Sequence, residues 1–475
     1  MKITYVASEC APFAASGGLG DVMGALPRAI KELNDSFEIS VIIPYYDSIR
    51  NSYGDRTEKI TDISFDLSWR STGASIYDLK ENGITYYFIE NHRYFDRGGL
   101  YGESDDGERF AFFSMAALEF LLKSKRIPDI LHANDWQTAL SVIYLKTKYK
   151  DQPAFSKLKT LYTIHNIEYQ GKFSIDCLSD IFALDKKYLS FLEYAGDLNL
   201  MKGALSLSDY ISTVSPNYRN EICHDFFAFG LAPIINSVYH KTCGILNGID
   251  YEYFSPKKDN DIYFPYNEDN LDEGKRVNKT AFQIEFGLEI SDETPLIVMI
   301  SRLTATKGMD LVLHIIEELL SKNQVQMAIL GTGDEKYEKE LIKLSYKYTN
   351  LVSVIKFDRA LSKKMYAAAD IFLMPSKSEP CGLAQMIACS YGCVPIVRSV
   401  GGLYDSIKHW NGREGNGLRF DNYNAHELLY TIKDALELFH TDSWQSIRMG
   451  AFSSNFEWTN SAKKYITVYN NLLNW

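Results

Sequence analysis

Ser301-Arg-Leu-Thr-Ala-Thr-Lys-Gly308 and Ser378-Glu-Pro-Cys-Gly-Leu383 are the two stretches from which the fold of this chain is read. Before the first, Pro295-Leu-Ile-Val-Met-Ile300 is an apolar run of strand length. After it, Met309-Asp-Leu-Val-Leu-His-Ile-Ile-Glu-Glu-Leu-Leu320 has the spacing of an amphipathic helix. Arg302 and Lys307 thus fall between a strand's carboxyl end and a helix's amino end. Two cations beside the positive pole of a helix are unfavourable unless an anion joins them, and phosphate is the commonest candidate. The second stretch repeats the arrangement, with a strand at Ile371–Pro375 and a helix beginning near Pro380. Its turn carries Glu379, which cannot attract phosphate but accepts hydrogen bonds from hydroxyls. Cations for a diphosphate beside an acid for a sugar predict a nucleotide-sugar site.

Alternating strand and helix patterns extend outward in both directions, predicting α/β architecture with parallel sheets. Toward the amino terminus, strands are expected at Ile3–Ala7, Glu38–Pro44, Ile84–Ile89, Ile130–Ala133, Lys159–Ile164 and Tyr210–Val214. Helices are expected at Val22–Leu33, Phe110–Leu122 and Leu198–Leu207, with an antiparallel excursion between Ile60 and Asn82. The pattern pauses at Leu246-Asn-Gly-Ile-Asp250, and a polar segment through Lys279 reads as a hinge or linker. Beyond it, strands are expected at Leu296–Ile300, Gln326–Leu330, Leu351–Phe357, Ile371–Pro375 and Val394–Val397. Ser461–Trp475 reads as one amphipathic helix with Tyr465, Tyr469, Leu472 and Leu473 on one face. The resulting expectation is two doubly wound, Rossmann-like domains facing across a cleft, residues 1–247 and 248–455, followed by a terminal helix over 456–475.

A chain of 475 residues exceeds one ordinary core, which agrees with two domains. The net charge of −11 argues against nonspecific nucleic-acid binding. The seven cysteines are scattered without a Cys-x-x-Cys pair, as in a reduced, cytoplasmic protein. Met1-Lys-Ile-Thr-Tyr-Val6 enters a strand directly, no apolar run reaches membrane-spanning length, and no membrane association is expected. Near the start, Ala15-Ser-Gly-Gly-Leu-Gly-Asp-Val22 brings a glycine turn before a helix, suited to close approach of a phosphate. Gly17, Gly18 and Gly20 do not have Gly-x-Gly-x-x-Gly spacing, which disfavours a dinucleotide-dependent oxidoreductase.

With those residues in view, the chain resembles the bacterial glycogen synthase and plant starch synthase family. The likeness runs through Met1–Leu26, His132-Ala-Asn-Asp-Trp-Gln-Thr138, Thr163-Ile-His-Asn-Ile-Glu-Tyr-Gln-Gly171, Thr213-Val-Ser-Pro-Asn-Tyr218 and Gly244-Ile-Leu-Asn-Gly-Ile-Asp250. It continues through Ser301–Gly308, Pro375–Leu383 and Val400-Gly-Gly-Leu-Tyr-Asp405. The resemblance implies a GT-B fold, a sugar-nucleotide donor, an α-1,4-glucan acceptor, retention at the anomeric carbon, and neither cofactor nor metal. It places Arg302 and Lys307 on the diphosphate and Glu379 on glucose hydroxyls. It also places His165 against the sugar as a hydrogen-bond donor, and Asp135 near sugar hydroxyls. Ser16, Gly17, Gly18, Asp21, Asn247, Phe357, Cys381, Gly382 and Leu383 are implied as donor contacts, with Phe357 against the adenine. Glu9, Trp136 and Tyr94 are implied on the acceptor side; for Trp136 and Phe357 a place in the core is the competing reading.

Three positions depart from the family pattern: Ala15 stands where the family has lysine, Gln137 where it often has histidine, and Ala384 where threonine is common. The resemblance implies transfer of glucose from ADP-glucose. The alternatives are a UDP-glucose-dependent retaining glucosyltransferase and a glucan-binding or regulatory homologue with weakened turnover. Nucleotide preference and oligomeric state are not encoded in any motif.

Overall fold

In the computed structural model, which describes residues 1–474, the apolar runs become strands of parallel sheets with buried faces. The chain divides into two units, residues 1–247 with the helix Trp458–Asn474, and Gly248–Glu457. The first unit contains β1 (Lys2–Val6), β2 (Glu38–Pro44), β3 (Glu58–Leu67), β4 (Arg70–Glu81), β5 (Ile84–Glu90) and β6 (Ile130–Asn134). It continues with β7 (Lys159–Ile164), β8 (Lys172–Phe173), β9 (Glu193–Tyr194), β10 (Asp197–Asn199), β11 (Tyr210–Thr213) and β12 (Thr242–Gly244). Among the described residues, nine strands form one sheet in the order β12-β11-β7-β6-β1-β2-β5-β4-β3. All its pairs are parallel except β3–β4 and β4–β5, the excursion expected between Ile60 and Asn82. β8, β9 and β10 form a small antiparallel sheet that has no counterpart in the sequence pattern.

The second unit holds β13 (Leu296–Ile300), β14 (Gln326–Leu330), β15 (Leu351–Val354), β16 (Ile371–Met374), β17 (Val394–Arg398) and β18 (Leu418–Phe420). They run parallel in the order β15-β14-β13-β16-β17-β18. Met309, Val312, Ile315, Ile316 and Leu319, at helical spacing on Met309–Lys322, bury themselves with Ile297, Met299 and Ile329 of the sheet. Strand order reverses between β13 and β16, and in the first unit between β1 and β6. Loops leaving the carboxyl ends of such strand pairs diverge to opposite faces and open a crevice for a ligand. Arg302 follows β13 and Glu379 follows β16; the glycine turn follows β1 and Asp135 follows β6. Each motif therefore lies at the switch point of its own sheet.

The terminal helix is tied to the first unit by buried hydroxyls. Tyr469 OH lies 2.8 Å from Tyr5 OH and 2.9 Å from His132 Nδ1. His132 Nε2 is 2.6 Å from Thr163 Oγ1, which is 2.6 Å from Ser212 Oγ. One chain of hydrogen bonds thus links the helix to β1, β6, β7 and β11, directly beneath the loops that follow β6 and β7. Burial holds the His132 ring neutral, its pKa well below the usual histidine range.

Some boundaries differ from expectation. The segment read as linker through Lys279 becomes a helix from Leu271 to Phe286. Its polar residues are buried because they are paired: Lys275 Nζ donates to Tyr366 O at 2.9 Å, and Lys279 Nζ meets Asp370 Oδ2 at 2.8 Å. The strand expected to reach Phe357 stops at Val354, and the helix expected near Pro380 starts at Ala384. The terminal helix starts at Trp458 rather than 456, and Leu473 is exposed while Tyr465, Tyr469 and Leu472 are buried. Trp475, expected in that helix, lies outside the described residues. All seven cysteines are free thiols. No helix among the described residues is long and apolar enough to cross a membrane.

Candidate active site

In the second unit the two motif loops meet. Lys307, at the end of a short turn of helix after β13, sets its Nζ 2.5 Å from Glu379 Oε2, which also accepts from Ser376 Oγ at 3.0 Å. Both donors converge on one carboxylate oxygen, and among the described residues none reaches Oε1. Glu379 is buried, so Oε1 is an open acceptor in a site largely shielded from water. Arg302 is exposed and its guanidinium has no carboxylate partner among the described residues. The pair thus divides the work: Lys307 fixes the acid, and Arg302 remains a free cation.

The Glu379–Leu383 loop is held from two sides. Gln385 Nε2 donates to Cys381 O at 3.2 Å and Gly382 O at 3.0 Å, and Gly402 N–H donates to Glu379 O at 3.2 Å. A Cβ on Gly401 would lie 2.0 Å from Glu379 O, and one on Gly402 would lie 2.2 Å from Cys381 O, so only glycine admits this approach. Gly382 sits at φ 71°, the left-handed region. Gly382 and Leu383 are half-buried, whereas the Cys381 thiol is buried in protein. Phe357 is 80 % exposed with the Arg359 guanidinium 5.9 Å from its ring, which removes the core reading and leaves a flat surface for stacking.

In the first unit, Asp135 occupies φ 56° and ψ −179°, a conformation that glycine adopts easily and other residues at a cost of about 1–3 kcal/mol. Its N–H donates to Thr163 O at 3.0 Å, and its Oδ1 accepts from His165 N–H at 2.7 Å. Those bonds aim the carboxyl out of the sheet edge. Burial raises its pKa to about 7 against the help of the backbone donors. His165 is pushed the other way by burial, to about 3, and stays neutral.

The tautomer of His165 follows from Asn134. Asn134 Nδ2 donates to Val6 O at 3.2 Å and His132 O at 3.1 Å, so its Oδ1 is the atom 2.9 Å from His165 Nε2. An amide oxygen only accepts; the single ring proton therefore sits on Nε2, and Nδ1 carries a lone pair. This differs from the expectation that His165 donates to a sugar: a neutral ring in this tautomer offers an acceptor at Nδ1.

The acceptor-side expectations change most. Glu9 is buried and accepts from Ser16 N–H at 2.5 Å, Ser16 Oγ–H at 2.8 Å, Gly17 N–H at 3.3 Å and Tyr101 OH at 2.6 Å. It clamps the glycine turn from below, and the Ser16 and Gly17 amides are not free for phosphate as expected. Gly18 opens the helix that follows, where first-turn amides point outward, and Asp21 is exposed in that turn. Tyr94 is a core residue, 2 % exposed, its hydroxyl 2.5 Å from Glu108 Oε1, and cannot meet an acceptor. Trp136 is half-buried between Phe110 and Phe173, ring centroids 5.4 Å and 5.8 Å away, with Gly171 packed closely against its ring. It is chiefly a packing residue. Asn247 is buried, and its Oδ1 has no partner among the described residues, an acceptor left for a ligand hydroxyl or amine. Among the described residues no group of three or more His, Cys, Asp or Glu is placed to hold a metal ion.

Asn134, Ser376, Gln385 and Tyr101 were not singled out from sequence. Asn134, Ser376 and the Gly401–Gly402 pair do lie inside the motif blocks, so adjacency to a chemical residue was the available signal. Tyr101 carries none.

Residues 2–237 match the family described as the starch synthase catalytic domain, and residues 281–442 match glycosyl transferases group 1. The chain is 42 % identical over its full length to a glycogen synthase of Natranaerobius thermophilus, covering 97 % of it. It is 41 % identical to a glycogen synthase of Bacillus anthracis, with 100 % of both chains covered. The catalytic domain of starch synthase IV from Arabidopsis thaliana, solved with ADP and acarbose, superposes with a TM-score of 0.90 at 32 % identity, covering 100 % of this chain and 99 % of that one. Sucrose-phosphate synthase from Thermosynechococcus elongatus, at 16 % identity and a TM-score of 0.61, shares the fold.

Proposed function

Because the chain belongs to the glycogen and starch synthase family, has the GT-B fold and is a glucosyltransferase that extends glycogen, we propose that its donor is ADP-glucose and that the glucose is transferred with retention to the non-reducing 4-OH of an α-1,4-glucan. The observation that carries the reading is the meeting of Lys307, Glu379 and Ser376 at the β13/β16 switch point. One oxygen of Glu379 is held by the protein and the other is presented to hydroxyls. Arg302, on the same loop as Lys307, is an exposed cation without a carboxylate partner among the described residues and is suited to a diphosphate; the starch synthase relative was solved with ADP.

The proposed roles follow from that geometry. Arg302 and the ammonium of Lys307 stabilise the negative charge that grows on the departing diphosphate; one fixed donor of this kind typically contributes ~2.7–4 kcal/mol. Glu379 Oε1 holds a glucose hydroxyl and offsets positive charge at the anomeric carbon. Phe357 stacks on the adenine. In the first unit, His165 Nδ1 accepts from a sugar hydroxyl, and Asp135 Oδ2, which receives no donor among the described residues, binds another. As the bond from the anomeric carbon to phosphate breaks, the bond to the acceptor 4-oxygen forms on the same face. The acceptor proton passes to the leaving phosphate oxygen. Arg302 and Lys307 supply the positive charge, so a metal ion is not required.

The test is nucleotide release from ADP-glucose and UDP-glucose, each with glycogen, maltotriose and no acceptor, with and without EDTA. ADP release that depends on glucan and is insensitive to EDTA is expected, with an α anomeric proton in the product by NMR. Preference for UDP-glucose, a β linkage, or glucan binding without release would each overturn the corresponding part.

A further inference from the structure

Of the described tryptophans only Trp69 stands in solvent, 72 % exposed, in the turn between β3 and β4. Folding gains little from it there, yet the ring is held firmly. Its Nε1–H donates to Asp180 Oδ1 at 2.6 Å, and the Arg70 guanidinium lies 4.3 Å from the ring centroid on one face. The turn itself is pegged down: Ser68 Oγ donates to Ser179 O at 2.7 Å and Arg70 Nη1 to Asp180 O at 2.7 Å. Arg70 is held in turn by Glu108 at 3.5 Å. An aromatic ring whose orientation is paid for in advance loses little freedom when something stacks on it.

The surroundings choose the partner. Protein-docking surfaces are built from contiguous apolar residues. Here the ring is fringed by Asp180 and Arg70, both charged, and by Ser68. A flat apolar centre with a charged rim matches a pyranose, which has a C–H face and an equatorial belt of hydroxyls. Topology gives the location. β4 overshoots its pairing with β5 by five positions, Arg70 to Ala74, on the edge where β1, β6 and β7 end. Four strand spacings of about 4.8 Å separate β4 from β6, and the overshoot along the strand adds to that sideways offset, so Trp69 stands more than about 20 Å from Asp135.

We propose that Trp69, with Asp180 and Arg70, is a second platform for the α-glucan chain, separate from the transfer site, that retains long or branched acceptors. This rests on the glucan acceptor of the proposed function. A short acceptor at the strand ends leaves the platform empty, and a polymer reaches both places.

Native electrophoresis through gels with and without glycogen measures binding without turnover. Wild type is expected to be retarded, Trp69→Ala to lose most of the retardation, and Trp69→Phe to keep part of it. In steady state, the KM for glycogen of Trp69→Ala rises about fivefold or more, the effect of truncating an aromatic anchor. The KM for maltotriose, the KM for donor and kcat stay unchanged. Equal retardation of wild type and Trp69→Ala would sink the proposal, as would equal rises in KM for both acceptors. A change in oligomeric state by light scattering without a change in retardation would make the surface a protein interface instead. Failure of transfer to every acceptor, with retardation still lost in Trp69→Ala, would refute the proposed function and leave the platform standing.

Discussion

The neutral state of His165 can be tested directly, and the role proposed for its Nδ1 depends on it. Burial puts the ring's pKa at about 3. At pH 6 about one ring in a thousand would then be protonated, against roughly three quarters for an ordinary histidine at 6.5. Specific labelling of the nine histidines, with His165→Gln to assign the resonance, follows each ring by NMR from pH 8 to pH 5. The His165 signal is expected to stay flat and to show the Nε2–H tautomer. Asn134→Asp supplies the complementary perturbation. It replaces the amide oxygen 2.9 Å from Nε2 with a carboxylate, which stabilises the imidazolium and lifts the midpoint by about one to three pH units. The sign is fixed: a depressed folded pKa contributes stability that is present above 6.5 and lost as pH falls toward 3, and Asn134→Asp should shrink that loss. A wild-type His165 midpoint near 6.5, or a bare Nε2, would refute both the tautomer and the acceptor role of Nδ1.

Other outcomes follow from single contacts. Tyr469→Phe deprives Tyr5 OH and His132 Nδ1 of their shared partner in a buried site, and should cost about 1–3 kcal/mol, read as a lower midpoint of thermal unfolding. Gly401→Ala drives a methyl into Glu379 O, 2.0 Å away, and should lower kcat and weaken donor binding while circular dichroism stays native; unchanged kinetics would show that this carbonyl does not position Glu379. Asp135 has a folded pKa raised to about 7 from the usual 3.8, so wild type should lose stability relative to Asp135→Asn by up to about 1.4 kcal/mol per pH unit as pH rises toward 7; parallel pH curves from chemical denaturation would contradict it. Ala15→Lys, on the exposed glycine turn, should tighten ADP binding at low salt, and calorimetry showing no change would place that position away from the phosphates.

The parts legible in the sequence were those where residue type and spacing alone decide. Continuous apolar runs gave the parallel strands, and their alternation with periodic helices gave two doubly wound units. The placement of Arg302, Lys307 and Glu379 after strands was readable because a charged turn between a buried strand and a helix needs a ligand. The Leu271–Phe286 helix was hidden because its inward positions include Lys275, Asn278 and Lys279. Burial of the two lysines is made tolerable by Tyr366 and Asp370, roughly a hundred residues away, and that of Asn278 by the backbone at Tyr263, Phe264 and Gly274; no helical pattern carries that information. Tyr94 and Trp136 failed for the opposite reason. An aromatic residue in or near a motif is equally suited to a sugar and to a core, and only the neighbours Glu108, Phe110 and Phe173 decide.

The same distinction explains where the site's precision resides. The residues proposed to act were visible, but most of those that aim them were not. Glu379 is aimed by Ser376, Gly401 and Gly402, His165 by Asn134, and the glycine turn by Glu9 and Tyr101. Asp135 is the sharpest case. Nothing in its identity announces a backbone that glycine would adopt more easily, and replacing it by glycine would relieve the strain while removing the carboxyl. Its strained conformation persists because Thr163 and the His165 amide hold both its ends. Those groups belong to β7 and the loop after it, and β7 is tied through Thr163 to His132 and the terminal helix. The strand that holds Asp135 is therefore itself anchored by the buried hydroxyl chain ending at Tyr469. Loosening the terminal helix should disturb the chemistry at Asp135 before it unfolds the sheet.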